Sequence, residues 1–169
     1  MNKSEALVNA YRMEVFVKLQ VPGERLRLTD ISFYGLKWFN MIKFMAIIAG
    51  GGLGAAFRHG LFLLVQRFSG PSFPYGTLAV NLLGSFLIGF LWSLFESSRL
   101  TTEWRVFVFT GFLGGFTTFS TFAREAMQML KIGQWKPAII YVIASNLIGI
   151  LLVFAGFFLA RRVLGLPGE

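Results

Sequence analysis

Residues 111–125 read GFLGGFTTFSTFARE and lie inside an otherwise apolar part of the chain. The stretch holds three glycines, four hydroxyl residues and four phenylalanines. Glycine weakens a helix by up to about 1 kcal/mol relative to alanine, and Ser and Thr hydroxyls compete for backbone partners. Together they predict a break in a membrane helix near Gly114–Thr118, where protein or a cation takes over the freed backbone groups. The alternative is that the small residues serve only close helix packing.

The remainder of the chain has the composition of a membrane protein. Of its 169 residues, 55% are apolar and only 14% are charged, whereas soluble domains carry about 25% charged residues. A hydrocarbon core of about 30 Å needs roughly 20 apolar helical residues. We therefore expect an all-α membrane protein with four transmembrane helices, the third of them broken, within residues 41–169. The four segments are residues 44–68, residues 76–95, the segment that starts at Trp104, and residues 137–160.

Several classes of function have little support in the sequence. There is no cysteine, only one histidine and no convergent pair of carboxylates, so no catalytic set is visible and we expect no enzyme. The formal net charge of +8 does not indicate nucleic-acid binding. Most basic residues flank apolar runs, which is the usual way of anchoring spans at lipid headgroups.

Residues 1–40 differ from the rest of the chain. They carry six basic and four acidic residues and no apolar run of membrane length. We expect an N-terminal extension that is poorly ordered, because short unpacked terminal segments usually are. A small cytoplasmic adaptor is the alternative.

The basic residues near the span ends are evenly divided between the two sides. If Met41 and the second loop share one side, the count is five Lys and Arg on each side. The positive-inside rule then sets orientation only weakly, or copies insert both ways as an antiparallel dimer. One side holds Lys43, Arg99, Arg105, Arg161 and Arg162; the other holds Arg58, Arg67, Arg124, Lys131 and Lys136.

Some polar and aromatic residues within the spans can contact an anion without a full positive charge. Asn81 lies in the middle of the second span and offers two N–H donors without net charge. Phe119 and Phe122 are three residues apart and share a helix face, and ring edges carry partial positive charge. Ser120 and Thr121 add adjacent hydroxyls. The alternatives are an interhelical hydrogen bond for Asn81 and lipid contact for the phenylalanines.

Three stretches together resemble the Fluc (CrcB) fluoride channel family. They are GGGLGAAFRHG at 50–60, GTLAVNLLGSFLIGFL at 76–91 and GFLGGFTTFSTFARE at 111–125, and the likeness covers about residues 41–162. The resemblance implies a dual-topology antiparallel homodimer in the bacterial plasma or inner membrane, with two pores that export fluoride passively. It also implies a structural sodium ion on the dimer axis, bound by the backbone carbonyls of Gly114 and Thr117.

The resemblance further implies which residues form the fluoride pathway. These residues are Arg58, Asn81, Phe119, Ser120, Thr121, Phe122, Glu125, Tyr141 and Ser145.

Two other functions are weighed against the channel. A small dual-topology multidrug-type transporter needs a glutamate in the first span, where this chain has Arg58 and no acidic residue. A non-transporting membrane assembly protein would use the polar face only to hold helices together.

Overall fold

The fold was determined as a computed structural model that describes residues 41–70, 72–97 and 100–165, and all regular structure in these ranges is helical. The expectation for residues 1–40 lies outside the described residues. The α-helices are α1 (Met41–Phe68), α2 (Tyr75–Ser97), α3 (Thr102–Arg105), α4 (Gly114–Phe116), α5 (Phe119–Lys131), α6 (Trp135–Ile143) and α7 (Gly149–Leu164). Val106–Leu113 and Ala144–Ile148 are π-helical.

Four helical stretches in the described part of the chain are long and apolar enough to cross a membrane. This confirms the number of spans expected from the sequence. We refer to them as spans 1 to 4: Met41–Phe68, Tyr75–Glu96, Thr102–Lys131 and Trp135–Leu164.

Span 3 changes its backbone conformation within the GFLGGFTTFSTFARE stretch. Helix α4 ends at Phe116, and α5 begins at Phe119. Between them Thr117 (φ −79°, ψ 157°) and Thr118 (φ −146°, ψ 113°) are extended. Thr118 is the N-cap of α5, because its Oγ1 accepts a hydrogen bond of 3.3 Å from the backbone N–H of Thr121.

Glycines bring the backbones of spans 1 and 3 into direct contact. Gly50 and Gly54 are both buried. A Cβ at Gly50 would lie 2.5 Å from the carbonyl oxygen of Phe107, and one at Gly54 would overlap the carbonyl oxygen of Phe112. These two glycines therefore allow the backbones of spans 1 and 3 to pack closely. Gly52, in contrast, has nothing within 4 Å of a Cβ position.

Gly54→Ala is expected to destabilise the protein, whereas Gly52→Ala is not. The added methyl group at position 54 would overlap backbone atoms of Phe112 and Phe116, which cannot change rotamer as a side chain can. Overpacking of this kind costs about 1–3 kcal/mol. Thermal unfolding in detergent should therefore show a lower Tm for Gly54→Ala and an equal or higher Tm for the matched control Gly52→Ala. Equal melting temperatures for the two variants would contradict this packing.

Spans 2 and 4 also approach closely and run in the same direction. A Cβ at Gly149 would lie 3.4 Å from Ser85 Oγ, and a Cβ at Gly89 would overlap the carbonyl oxygen of Val153. Residue numbers therefore increase in the same direction along both spans at this contact. This packing places span 4 beside the face of span 2 that carries the polar residues.

Candidate functional site

The side chain of Asn81 in span 2 pairs with the extended backbone of Thr118 in span 3. Asn81 Nδ2 donates to the Thr118 carbonyl oxygen at 3.0 Å, and the Thr118 N–H donates to Asn81 Oδ1 at 2.9 Å. One amide therefore satisfies both backbone groups of a residue that has left the helix. The second N–H of that amide is not needed for this pairing.

The interruption removes the ordinary helical donors from two carbonyl groups. In a continuous α-helix the N–H of Thr118 would bond to Gly114, and that of Thr121 to Thr117. Here they bond instead to Asn81 Oδ1 and to Thr118 Oγ1. The Thr117 carbonyl oxygen receives a long hydrogen bond, 3.4 Å, from Arg58 Nη1 in span 1.

Hydroxyl groups line the beginning of α5. Thr118 Oγ1 donates to Thr121 Oγ1 at 3.0 Å and lies 3.5 Å from Ser120 Oγ. Thr118 is buried, Thr121 is half-buried and Ser120 is exposed. The hydroxyls therefore lead from the interior of the helix bundle to its surface.

Glu125 joins spans 2, 3 and 4 through two hydrogen bonds. Thr77 Oγ1 donates to Glu125 Oε1 at 2.9 Å, and the Tyr141 hydroxyl donates to Glu125 Oε2 at 2.9 Å. Thr77 and Tyr141 are both almost completely buried. Since Thr77 and Asn81 are four residues apart in α2, they share one face of that helix.

The two phenylalanines of α5 contact each other but differ in exposure. Their ring centroids are 5.6 Å apart. Phe122 is 8% exposed and packs against Tyr141 with a centroid distance of 5.0 Å. Phe119 is 77% exposed. Ring contacts thus connect Tyr141, the hydrogen-bond partner of Glu125, through Phe122 to Phe119 at the protein surface.

A cavity of about 230 Å³, which we call the Arg58 cavity, lies among spans 1, 2 and 3. It combines one guanidinium group with three threonine hydroxyls. The Thr77 hydroxyl donates to Glu125 and the Thr118 hydroxyl to Thr121, so Arg58 and Thr121 remain as donors for an anion. Its polar lining residues are Arg58, His59, Thr77, Thr118 and Thr121.

Ser145 in span 4 is the site residue whose side chain forms no hydrogen bond within the described residues. Its Oγ is buried and has no hydrogen-bond partner within the described residues. It lies in the π-helical stretch Ala144–Ile148, one turn after Tyr141. The neighbouring Asn146 is exposed and donates to the Val142 carbonyl of its own helix at 2.8 Å.

Contacts connect all the other side chains that the sequence singles out. One series runs from Arg58 through Thr117 and Thr118 to Asn81 and the α5 hydroxyls, and another from Glu125 through Tyr141 to the phenylalanines. The sequence interpretation did not place Thr77 or Thr118 in the fluoride pathway, although it placed Thr118 at the predicted helix break. The spacing of four between Thr77 and Asn81 is a signal that would have found Thr77.

Comparisons with known proteins agree on one family. Residues 45–157 match the family model described as CrcB-like protein, Camphor Resistance (CrcB). The chain is 45% identical over 124 residues to a protein of Parabacteroides distasonis, which covers 73% of this chain and 97% of that relative. It is 49% identical over 117 residues to a protein of Nitrosococcus oceani, an alignment that covers 69% of this chain and 93% of that relative. It is 43% identical over 124 residues to a protein of Pyrococcus abyssi, an alignment that covers 73% of this chain and 99% of that relative.

All three relatives are named fluoride-specific ion channel FluC. The alignments cover nearly the whole of each relative. The family model covers most of span 1, all of spans 2 and 3 and most of span 4. The chain is thus a multi-pass membrane protein, and it belongs to the CrcB (Fluc) fluoride channel family.

Proposed function

We propose that this chain forms a fluoride-specific channel that lets the anion leave the cell passively and so lowers cytoplasmic fluoride. The observation that carries the proposal is the connected set of neutral donors around Asn81, Thr118 and Thr121, with Arg58 at one end. The names of the relatives support the choice of ion. On this reading the chain is a channel in the cell membrane and not an enzyme.

Fluoride holds its hydration shell tightly, so a pore must replace water by other donors. The second N–H of Asn81, the hydroxyls of Ser120 and Thr121 and the ring edges of Phe119 and Phe122 supply them without a full positive charge. Neutral donors allow the ion to leave again, which conduction requires. Arg58 raises the local concentration of anions at the entrance.

The hydroxyls of span 4 extend the proposed pathway beyond α5. The buried Ser145 Oγ has no partner among the described residues and is one turn from Tyr141. A buried hydroxyl without a partner is unfavourable unless water or an ion pairs with it. We assign Glu125, Tyr141 and Ser145 to the pathway on this basis.

We further propose that two copies assemble antiparallel as a homodimer. The side chain of Phe119 is 77% exposed, and Ser120 and Gly114 in the same span are exposed as well. Contact with lipid is unfavourable for an exposed hydroxyl and for exposed backbone polar groups. We therefore propose that a second copy of the chain packs over this surface. The basic residues divide five against five between the two sides, or five against three when Arg58 and Arg124 are left out as intramembrane. Either division sets the orientation only weakly, which suits insertion in both orientations.

The same interface is proposed to hold a structural sodium ion. The carbonyls of Gly114 and Thr117 lose their helical donors to Asn81 and Thr118, which leaves oxygen lone pairs near the interruption. Among residues 41–70, 72–97 and 100–165 no cluster of three or more His, Cys, Asp or Glu side chains is present to hold a metal. Neutral oxygens suit a small monovalent cation. The Arg58 contact to Thr117 at 3.4 Å occupies at most one lone pair.

Removing sodium is expected to destabilise the dimer. A ligand at one hundred times its Kd stabilises the folded state by about 2.7 kcal/mol. The Tm in detergent and the dimer fraction in mass photometry should therefore fall when sodium is replaced by N-methylglucamine at constant ionic strength. Potassium serves as the control for a cation of the same charge and larger size. No change in either readout on sodium removal would contradict the ion site.

Fluoride efflux from loaded liposomes tests the function directly. With valinomycin present to carry potassium, wild-type protein should release fluoride but retain chloride. Release that needs a pH gradient would favour the multidrug-type transporter. Retention of both anions would favour the assembly protein.

A further inference from the structure

Two cavities share the side chain of Phe62 in span 1. One is the Arg58 cavity described above. The other has a volume of about 280 Å³ and lies beside the loop that joins spans 1 and 2. We call it the Gln66 cavity, and its lining includes Gln66, Ser72, Glu125, Gln128 and Gln134. Phe62 is the residue common to the walls of both cavities.

The partition between the cavities has a second component besides Phe62. Thr77 lines the Arg58 cavity, and Glu125 lines the Gln66 cavity. Thr77 Oγ1 donates to Glu125 Oε1 at 2.9 Å, so this hydrogen bond also separates the two spaces. The direct path between the cavities therefore runs against the Phe62 ring and the Thr77–Glu125 hydrogen bond.

The Phe62 ring is the part of the partition that moves more readily. It packs against Gly76, where a Cβ would lie 2.5 Å from Phe62 Cδ2 and 2.9 Å from Cε2. The Phe62 ring fits at this position because Gly76 has no side chain. Only van der Waals contact is lost when the ring turns, whereas a hydrogen bond to an ionised group is roughly twice as strong as a neutral one.

We propose that Phe62 gates the passage between the Gln66 cavity and the Arg58 cavity and sets the size of the anion that passes. This inference rests on the proposed fluoride function. The ring edge carries partial positive charge and tolerates an anion beside it, while the bulk of the ring excludes a larger halide. Phe62 is thus a specificity-determining residue of the pathway.

Fluoride and chloride efflux from proteoliposomes test this gate with three variants. Phe62→Ala should raise fluoride efflux about two- to tenfold, the range that corresponds to an off-rotamer side chain. It should also admit chloride. Phe62→Leu should give a smaller chloride leak, because leucine retains part of the bulk. Leu63→Ala is the matched control, since Leu63 is 51% exposed on the outer surface, and it should behave as wild type.

The outcomes separate this inference from the proposed function. Fluoride efflux by the wild type together with unchanged chloride exclusion in both Phe62 variants would overturn the gate alone. If Phe62→Ala does not reconstitute, a chloride leak in Phe62→Leu supports the gate, and its absence there overturns it. A wild-type protein that releases no fluoride would overturn the gate and the fluoride function together.

Discussion

Asn81→Asp is expected to abolish fluoride efflux almost completely. The substitution keeps the shape of the side chain but replaces the Nδ2 donor by an oxygen. That oxygen would face the Thr118 carbonyl, which now accepts from Nδ2 at 3.0 Å. Leaving a buried acceptor unpaired costs about 1–3 kcal/mol, and more for a charged group. With each 1.36 kcal/mol worth a factor of ten in rate, the efflux should fall roughly a hundredfold or more.

Asn146→Asp is the matched control for this experiment. Asn146 is also an asparagine within a span, but it is exposed, and within the described part of the chain it donates to Val142 of its own span. Its conversion to aspartate introduces the same charge without touching the interruption in span 3. Efflux by Asn146→Asp should therefore stay within a few fold of the wild type by the same conversion from free energy to rate. Equal losses in the two variants would show that added charge, and not the pairing with Thr118, is responsible.

The number and order of the spans could be predicted because apolar length is a property of the sequence alone. The contacts of the individual glycines in span 1, in contrast, could not be predicted from the sequence. Gly50 and Gly54 meet the backbone of span 3, whereas Gly52 meets nothing within 4 Å. All three look alike in the sequence. Which of them faces a neighbour depends on how the helices are rotated against each other, and composition does not fix that rotation.

In the candidate site, too, the sequence predicts which residues share a helix face but not which residues they contact on other helices. The polar character of Asn81 indicated a functional or interhelical role, and the structure shows an interhelical bond to the backbone of Thr118. The partner itself could not be read from the sequence, because spacing identifies residues on one helix face and not those across from it. Glu125 is similar: its bonds to Thr77 and Tyr141 come from two other spans.

Glu125→Gln is expected to cause the second large loss of fluoride efflux. Each carboxylate oxygen of Glu125 accepts one hydroxyl at 2.9 Å, from Thr77 and from Tyr141. Glutamine has one carbonyl oxygen and one NH₂, so one of the two hydroxyls would meet a donor in place of an acceptor. A hydrogen bond to a charged group contributes about 1.5–3 kcal/mol. We expect efflux to fall roughly tenfold to a hundredfold.

Glu96→Gln distinguishes loss of this arrangement from loss of a negative charge. Glu96 also accepts a hydrogen bond, from Trp92 Nε1 at 3.2 Å, but it is exposed at the end of span 2. Its substitution should leave efflux near that of the wild type. Tyr141→Phe, which removes one donor and leaves the carboxylate in place, should give an intermediate loss. If Tyr141→Phe had no effect while Glu125→Gln abolished efflux, the Tyr141 hydroxyl would be excluded, and the charge of Glu125 or its bond to Thr77 would control the passage of fluoride.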